Sequence, residues 1–178
     1  MPTTPQLHVR ELTEADIPLI AHYWTSASAD YLRGMGADIA KVPAEADFIN
    51  MLTHQHQLPI AEKRAYALIW GGDGVPVGHC NVNPISFGEE ASMHLHFWQQ
   101  AHRMRGLGTE LVRQSLPLFF ERLQLKRLIC EPYAHNPAPN KTLAKLGFEL
   151  ERTYRTVPGS INFEQEVNRW VLSREALA

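Results

Sequence analysis

The segment HFWQQAHRMRGLGTE, residues 96–110, constrains this chain more than any other stretch. A strand-like run over residues 92–98 gives way to a polar loop, and Arg103-x-x-Gly106-x-Gly108 then opens a helix. Glycine removes a side chain where another group must approach the backbone. The first turn of a helix leaves its N–H groups unpaired and turns the positive end of its dipole outward. A strand that feeds a glycine turn at a helix N-terminus therefore suits a phosphate or pyrophosphate, and Arg103 and Arg105 add charge that does not titrate away. A purely structural turn carries the same signature, so the rest of the chain has to decide between them.

Charge sharpens the choice. The 178 residues carry a net charge of -2, with no overall basic surface to attract nucleic acid. Residues 99–147 nevertheless hold eight Lys/Arg against three Asp/Glu, so this segment is +5 and the remainder is -7. The start, MPTTPQLHVRE, lacks the apolar core of a secretory signal, and no apolar run is long enough for a membrane helix. These features point to a cytoplasmic protein with no membrane partner. Cys80 and Cys130 sit in apolar, strand-like stretches and read as two buried, reduced thiols.

No repeat or linker divides the chain, so residues 1–178 read as one domain. Residues 6–10 form a short strand. Thr13 with Asp16 caps a helix whose apolar face is Ile17, Ile20, Ala21 and Trp24. Residues 26–42 lose periodicity and read as loop; Pro43 opens a second helix with Phe48, Ile49 and Leu52 inward. Two strands, residues 65–70 and 77–82, flank Gly71-Gly72-Asp73-Gly74, a hairpin signal, and residues 92–98 add a third. A helix over residues 106–123 follows, with Pro117 expected to kink or break it. Then come a strand at 126–130, a helix at 139–146 ended by Gly147, and two closing strands, 148–157 and 161–172, joined at Pro158-Gly159. The order β-α-α-β-β-β-α-β-α-β-β implies an α/β (α+β) fold: a mixed sheet covered by about four helices.

RMRGLG matches the Q/R-x-x-G-x-G/A pattern of the GCN5-related N-acetyltransferases, in the right place after a strand. NPAPNKTLAKLGF, with Asn136 eleven residues before Gly147, resembles the family's N-x-x-S…K-L-G-F segment. The two matches keep the family's order, and the resemblance spans about residues 6–172. Its flavour is closest to the ribosomal-protein N-terminal acetyltransferase branch. A Rossmann site would need G-x-G-x-x-G after the first strand and an acid about 20 residues on, and neither is present.

The resemblance implies a mostly antiparallel sheet whose two central strands splay into a V that takes acetyl-CoA. It places the pyrophosphate on the amides of Arg103, Met104, Arg105, Gly106, Leu107, Gly108 and Thr109. It puts the acyl carbonyl and pantetheine against the backbone of His96, Phe97 and Trp98, with Asn136 and Asn140 opposite. Asn136 also reads as a helix N-cap. Two departures stand out: Pro139 replaces a common Ser, and Leu143 replaces the helix Tyr that protonates the leaving thiolate, so the general acid has no candidate there.

Acylating an amine requires a proton acceptor at neutral pH. His94 and His96 share one strand face with Ser92, and either suits a base; hydrogen-bonded core histidines would look the same. Glu131 and Tyr133 are second candidates for base and acid. His54-x-His56 and His94-x-His96 lack a Cys or acid at ligand spacing, so no metal is expected. In this fold the amine site lies between the first helices and the last hairpin, where Tyr31, Met35, Asp38, Tyr154 and Asn162 fall. The expected partner is a small-molecule amine or a peptide or protein N-terminus, handled by a monomer or homodimer through direct attack in a ternary complex. A non-catalytic acyl-CoA sensor of the same fold, or an anion-binding domain that never meets coenzyme A, stays open at this level.

Overall fold

The computed structural model describes residues 5–99 and 106–177. Seven strands form one sheet in the order β1-β2-β3-β4-β5-β7-β6: β1 Leu7–Glu11, β2 Tyr66–Gly72, β3 Val75–Ser86, β4 Glu90–Phe97, β5 Arg127–Cys130, β6 Glu149–Thr156 and β7 Gln165–Ser173. Every adjacent pair is antiparallel except β4 with β5. The helices are α1 Ile17–Ser26, α2 Ala29–Gly34, α3 Glu45–Gln57, α4 Leu107–Arg122 and α5 Pro137–Lys145. The mixed sheet covered by helices is the architecture that the order of elements implies.

Strand alternation sorts the side chains between two cores. Leu68, Trp70, Cys80, Val82, Ala91 and Met93 face α4 and α5, meeting Leu111, Val112, Leu116, Phe119 and Leu143. The indole of Trp70 donates to the Ser115 hydroxyl at 2.9 Å, which satisfies the polar atom of the largest side chain in that core. Ile69 and Ala67 face the other way, against α1 to α3, where Trp24 stacks on Phe48. Both cysteines are buried free thiols, and burial pushes both upward, Cys130 to about 12.

Three local expectations are corrected. Residues 26–42 are not simply loop: α2 forms there, capped by Ser28, and a one-turn 3₁₀ helix covers Ile39–Lys41. Six residues are too few to display an apolar period. Pro117 does not break α4, because it lies on the exposed face, where the carbonyl that loses its partner can meet water. The link between β6 and β7 runs over residues 157–164, longer than the Pro158-Gly159 turn suggests.

One feature of the sheet positions the site. β4 pairs with β3 all the way to Gly78↔Phe97, but with β5 only at Glu90↔Arg127, Ala91↔Leu128 and Ser92↔Ile129. Beyond Ser92 the two strands part, and β5 ends at Cys130, whose thiol donates to the Met93 carbonyl at the fork. This is the V-shaped opening in the middle of the sheet.

Candidate active site

A cavity of about 620 Å³ lies where β4 leaves β5, on the side of α1 to α3. Ladder parity sets which main-chain groups face the opening. The Trp98 N–H bonds the Val77 carbonyl at 3.0 Å, so the even residues of β4 spend their backbone groups on β3. The His96 carbonyl is likewise held there, so close that a Cβ on Gly78 would fall 2.3 Å from its oxygen. Leu95 and Phe97, one residue out of phase, direct theirs toward the gap. Of the three residues whose backbone the resemblance implicates, Phe97 is the one so aimed, and Leu95 joins it.

His94 and His96 of β4 line the cavity together with His79, Asn81 and Asn83 of β3. His96 is nearly buried and stacks on His79 with ring centroids 4.6 Å apart. An indole N–H only donates, so the 2.8 Å bond from Trp98 Nε1 to His79 Nδ1 places the His79 proton on Nε2. Burial, with a smaller contribution from His94, pushes the His79 pKa down to about 3, so this ring is neutral at physiological pH. His96 Nδ1 is 3.1 Å from the Tyr23 hydroxyl, which is 2.8 Å from that of Tyr31. His94 Nε2 lies 2.9 Å from the Asn83 carbonyl and must carry its proton there; burial lowers its pKa, opposed by that carbonyl and by Glu131.

Glu131 and Asn136 form part of the wall beyond β5. Glu131 accepts from Arg169 at 2.8 Å and from the Tyr154 hydroxyl at 2.5 Å, and burial together with this bond raises the Tyr154 pKa. Tyr154 therefore acts behind Glu131, not on the cavity wall. Tyr133 bridges to Val167 and also lines the cavity. Asn136 is the N-cap of α5 by position, yet its side chain makes no capping bond. Asn140 has another task than reaching a ligand. Its Nδ2 donates to the Asn136 and Tyr133 carbonyls, and its Oδ1 accepts from Asn168 and Trp170, which locks α5 to β7.

The loop after α2 is zipped to the β6–β7 link. Ala37 bridges Asn162, Asp38 N–H bonds the Ile161 carbonyl at 2.7 Å, and the Gly36 carbonyl accepts from both Asn162 and Gln165. Met35 and Asn162 reach the cavity from this seam. The Asp38 carboxylate caps the following 3₁₀ turn at Ala40, so it is spent locally.

On the opposite face of the sheet, α4 starts at Gly106, whose φ of 69° needs glycine. Leu107, Gly108 and Thr109 form the first turn. A Cβ on Gly108 would sit 3.2 Å from the Phe97 ring, so this glycine lets α4 pack directly on the strand beside the gap. Arg103, Met104 and Arg105 lie outside the described residues.

An acetyltransferase (GNAT) domain model matches residues 6–149. The chain belongs to the GNAT acetyltransferase family. No curated protein sequence matches it. Among solved structures, the Vibrio cholerae spermidine N-acetyltransferase in complex with CoA and spermine superposes with a TM-score of 0.76 at 17% identity, covering 97% of this chain and 98% of that one. The ribosomal L7/L12 α-N-protein acetyltransferase RimL in complex with coenzyme A gives 0.74 at 15%, covering 98% of each. The aminoglycoside acetyltransferase AAC(6')-Ib with coenzyme A gives 0.70 at 19%, covering 96% of each.

As a GNAT acetyltransferase the protein takes acetyl-CoA as its acetyl donor, and the glycine-started helix beside a forked sheet fits a long ligand with a phosphate end. Leu143, at the family's acid position, is fully buried in the core against α4. His54 and His94 form no metal cluster: among the described residues no group of three or more His, Cys, Asp or Glu is placed to hold an ion. No helix among them is long and apolar enough to cross a membrane. His79 and Tyr23 were missed by the sequence. The alternation His79, Asn81, Asn83 in β3 was the available signal, a polar face on a strand whose other face, Cys80 and Val82, is apolar.

Proposed function

We propose that this acetyltransferase acts on a primary amine flanked by apolar groups, the N-terminus of a peptide or a hydrophobic small-molecule amine, with His96 as the base. The observation that carries the acceptor class is the state of the carboxylates on the cavity wall. Among the described residues they are Glu11 and Glu131, and both are already ion-paired, to Arg122 and Arg169. A polyamine needs carboxylates left over for its additional charges. Of the wall on α1 and α3, Ile20, Trp24, Phe48, Met51 and Leu52 suit an apolar substituent, with Gln55 and His56 at the end of α3 beside them.

The same site supports a reading of how the donor is held. The first-turn amides of α4 from Gly106 to Thr109, with Arg103, Met104 and Arg105 before them, would take the pyrophosphate. The backbone of Leu95 and Phe97 would take the pantetheine and polarise the acyl carbonyl. Asn136 faces them from the other wall, and Met35 and Asn162 border the acceptor. A bond forms between the amine nitrogen and the acyl carbon, the carbon–sulfur bond breaks, and the amine proton goes to His96 Nε2. A thiolate leaves readily without a partner acid, consistent with Leu143 at the position of the missing Tyr. His94, whose Nε2–H donates to the Asn83 carbonyl, would act at one remove.

The test is a panel of acceptors with acetyl-CoA: peptides with large apolar first residues, hydrophobic primary amines, and spermidine. Products are read by mass spectrometry. The expected result is acetyl gain on the first two groups with kcat/KM at least tenfold above spermidine. A preference for spermidine would overturn the acceptor assignment.

A further inference from the structure

The Tyr23 hydroxyl stands at the centre of three polar contacts, as many as one hydroxyl can serve. It lies 3.1 Å from His96 Nδ1, 2.8 Å from the Tyr31 hydroxyl and 3.8 Å from Met35 Sδ. A phenol has one proton to give and two lone pairs to receive. For His96 Nε2 to accept a proton, the neutral ring must carry its own on Nδ1, and Nδ1–H then donates to the Tyr23 oxygen. Tyr23 can accept there only by turning its own proton elsewhere, beside the neutral and the charged ring alike. Tyr31 and Met35 offer that elsewhere at the distances just given. The rings are held for it: Tyr23 is nearly buried, edge-on to Trp24 at 5.3 Å, and His96 is stacked on His79.

We propose that Tyr23, backed by Tyr31, accepts a hydrogen bond from His96 Nδ1–H and so holds the tautomer that leaves Nε2 free for the amine proton, making Tyr23 a positioning residue for the transfer. The proposal rests on His96 as the base and adds how a nearly buried imidazole takes up a proton at all. Desolvation opposes the charge, and a hydrogen bond to the charged form offsets it. The titratable groups facing His96 among the described residues are Tyr23 from α1, Tyr31 from α2 behind it, His79 from β3 and His94 two residues along β4. His79 does not compete for the proton, because its Nδ1 is occupied by the Trp98 indole and its ring stays neutral. Without that clamp, two stacked imidazoles would repel each other when charged.

Tyr23→Phe keeps the ring and removes only the hydroxyl. Nitrogen-15 NMR of the histidine side chains in the full-length protein reads the tautomer and titration of His96 directly, and steady-state kinetics runs alongside. The expected result is a His96 titration lower by about one unit, with kcat reduced roughly tenfold or more and KM for acetyl-CoA unchanged. Tyr31→Phe, at a less buried position, should give the same shift in smaller measure. An unaltered His96 tautomer and titration in a folded Tyr23→Phe protein would overturn this role. If the titration moves as expected while His96→Gln keeps full turnover, the Tyr23–His96 bond stands and the assignment of His96 as base falls.

Discussion

Gly36 ties the loop after α2 to the β6–β7 link beside the cavity, and replacing it by Ala should, on the proposed placement of the acceptor, separate stability and acceptor binding from coenzyme binding. Its φ is 85°, a left-handed conformation that costs an L-residue about 1–2 kcal/mol. The new Cβ would also fall 2.2 Å from Oε1 and 2.5 Å from Nε2 of Gln165, a buried side chain whose amide donates to the Gly36 carbonyl at 2.8 Å. Gln165 must move, and leaving its buried amide unpaired costs about 1–3 kcal/mol. The two terms give about 2–4 kcal/mol if Gln165 finds partial compensation, or roughly 5–15 °C in Tm for a chain of this size. Thermal unfolding measures that loss. Kinetics at permissive temperature should show a raised KM for the amine, since Met35 and Asn162 flank the seam, with the Kd for CoA unchanged. A Gly36→Ala protein of wild-type stability would refute the reasoning, and so would one whose CoA affinity falls along with its acceptor affinity.

Gly108→Val should press on the Phe97 ring beside the gap, weakening CoA at least tenfold, about 1.4 kcal/mol, by calorimetry, without unfolding the protein. Leu143→Tyr should lower stability by roughly 1–3 kcal/mol and bring no gain in kcat, because the site is closed to the cavity and a buried phenol overpacks it; a faster enzyme would place the residue wrongly. His79 titrates near 3 in the folded chain against 6.5 for the free group, so the unfolded chain binds the extra proton between those values. Its contribution to stability is therefore complete above pH 6.5 and is lost as pH falls toward 3, by up to about 1.4 kcal/mol per unit. Denaturant unfolding at several pH values should show a shallower slope in His79→Gln. CoA affinity should fall with ionic strength while that of pantetheine alone barely responds, if phosphates are held by the positive segment.

Local chemistry with a fixed consequence was legible in the sequence. Gly106 announces a positive φ at a helix start, Thr13 with Asp16 announces a cap, and Asp73-Gly74 announces a hairpin, where the structure has positive φ at both residues. Even the fork could be expected, from the resemblance carried by residues 103–108 and 136–148. What stayed hidden depends on register and on distance along the chain. His79 gains meaning only by lying opposite His96 across β3 and β4, and Tyr23 only because α1 crosses that pair. Asn140 looked like a ligand residue until its four internal bonds were seen, and Tyr154 looked like an acceptor contact until β6 placed it behind Glu131. Spacing along a chain says which face a residue occupies, not which neighbour claims its polar atoms.

The proposed chemistry turns on proton removal by His96 at the fork between β4 and β5. The pH dependence of acetyl transfer to a peptide N-terminus, measured for wild type and His96→Gln with CoA affinity followed in parallel, tests it most directly. Wild-type kcat/KM should rise with pH and level off. In the variant turnover should drop by about 10²–10⁴, the His-dependent limb should vanish, and the Kd for CoA should hold. Full turnover with an unchanged profile in His96→Gln would contradict the claim and make His96 a packing residue.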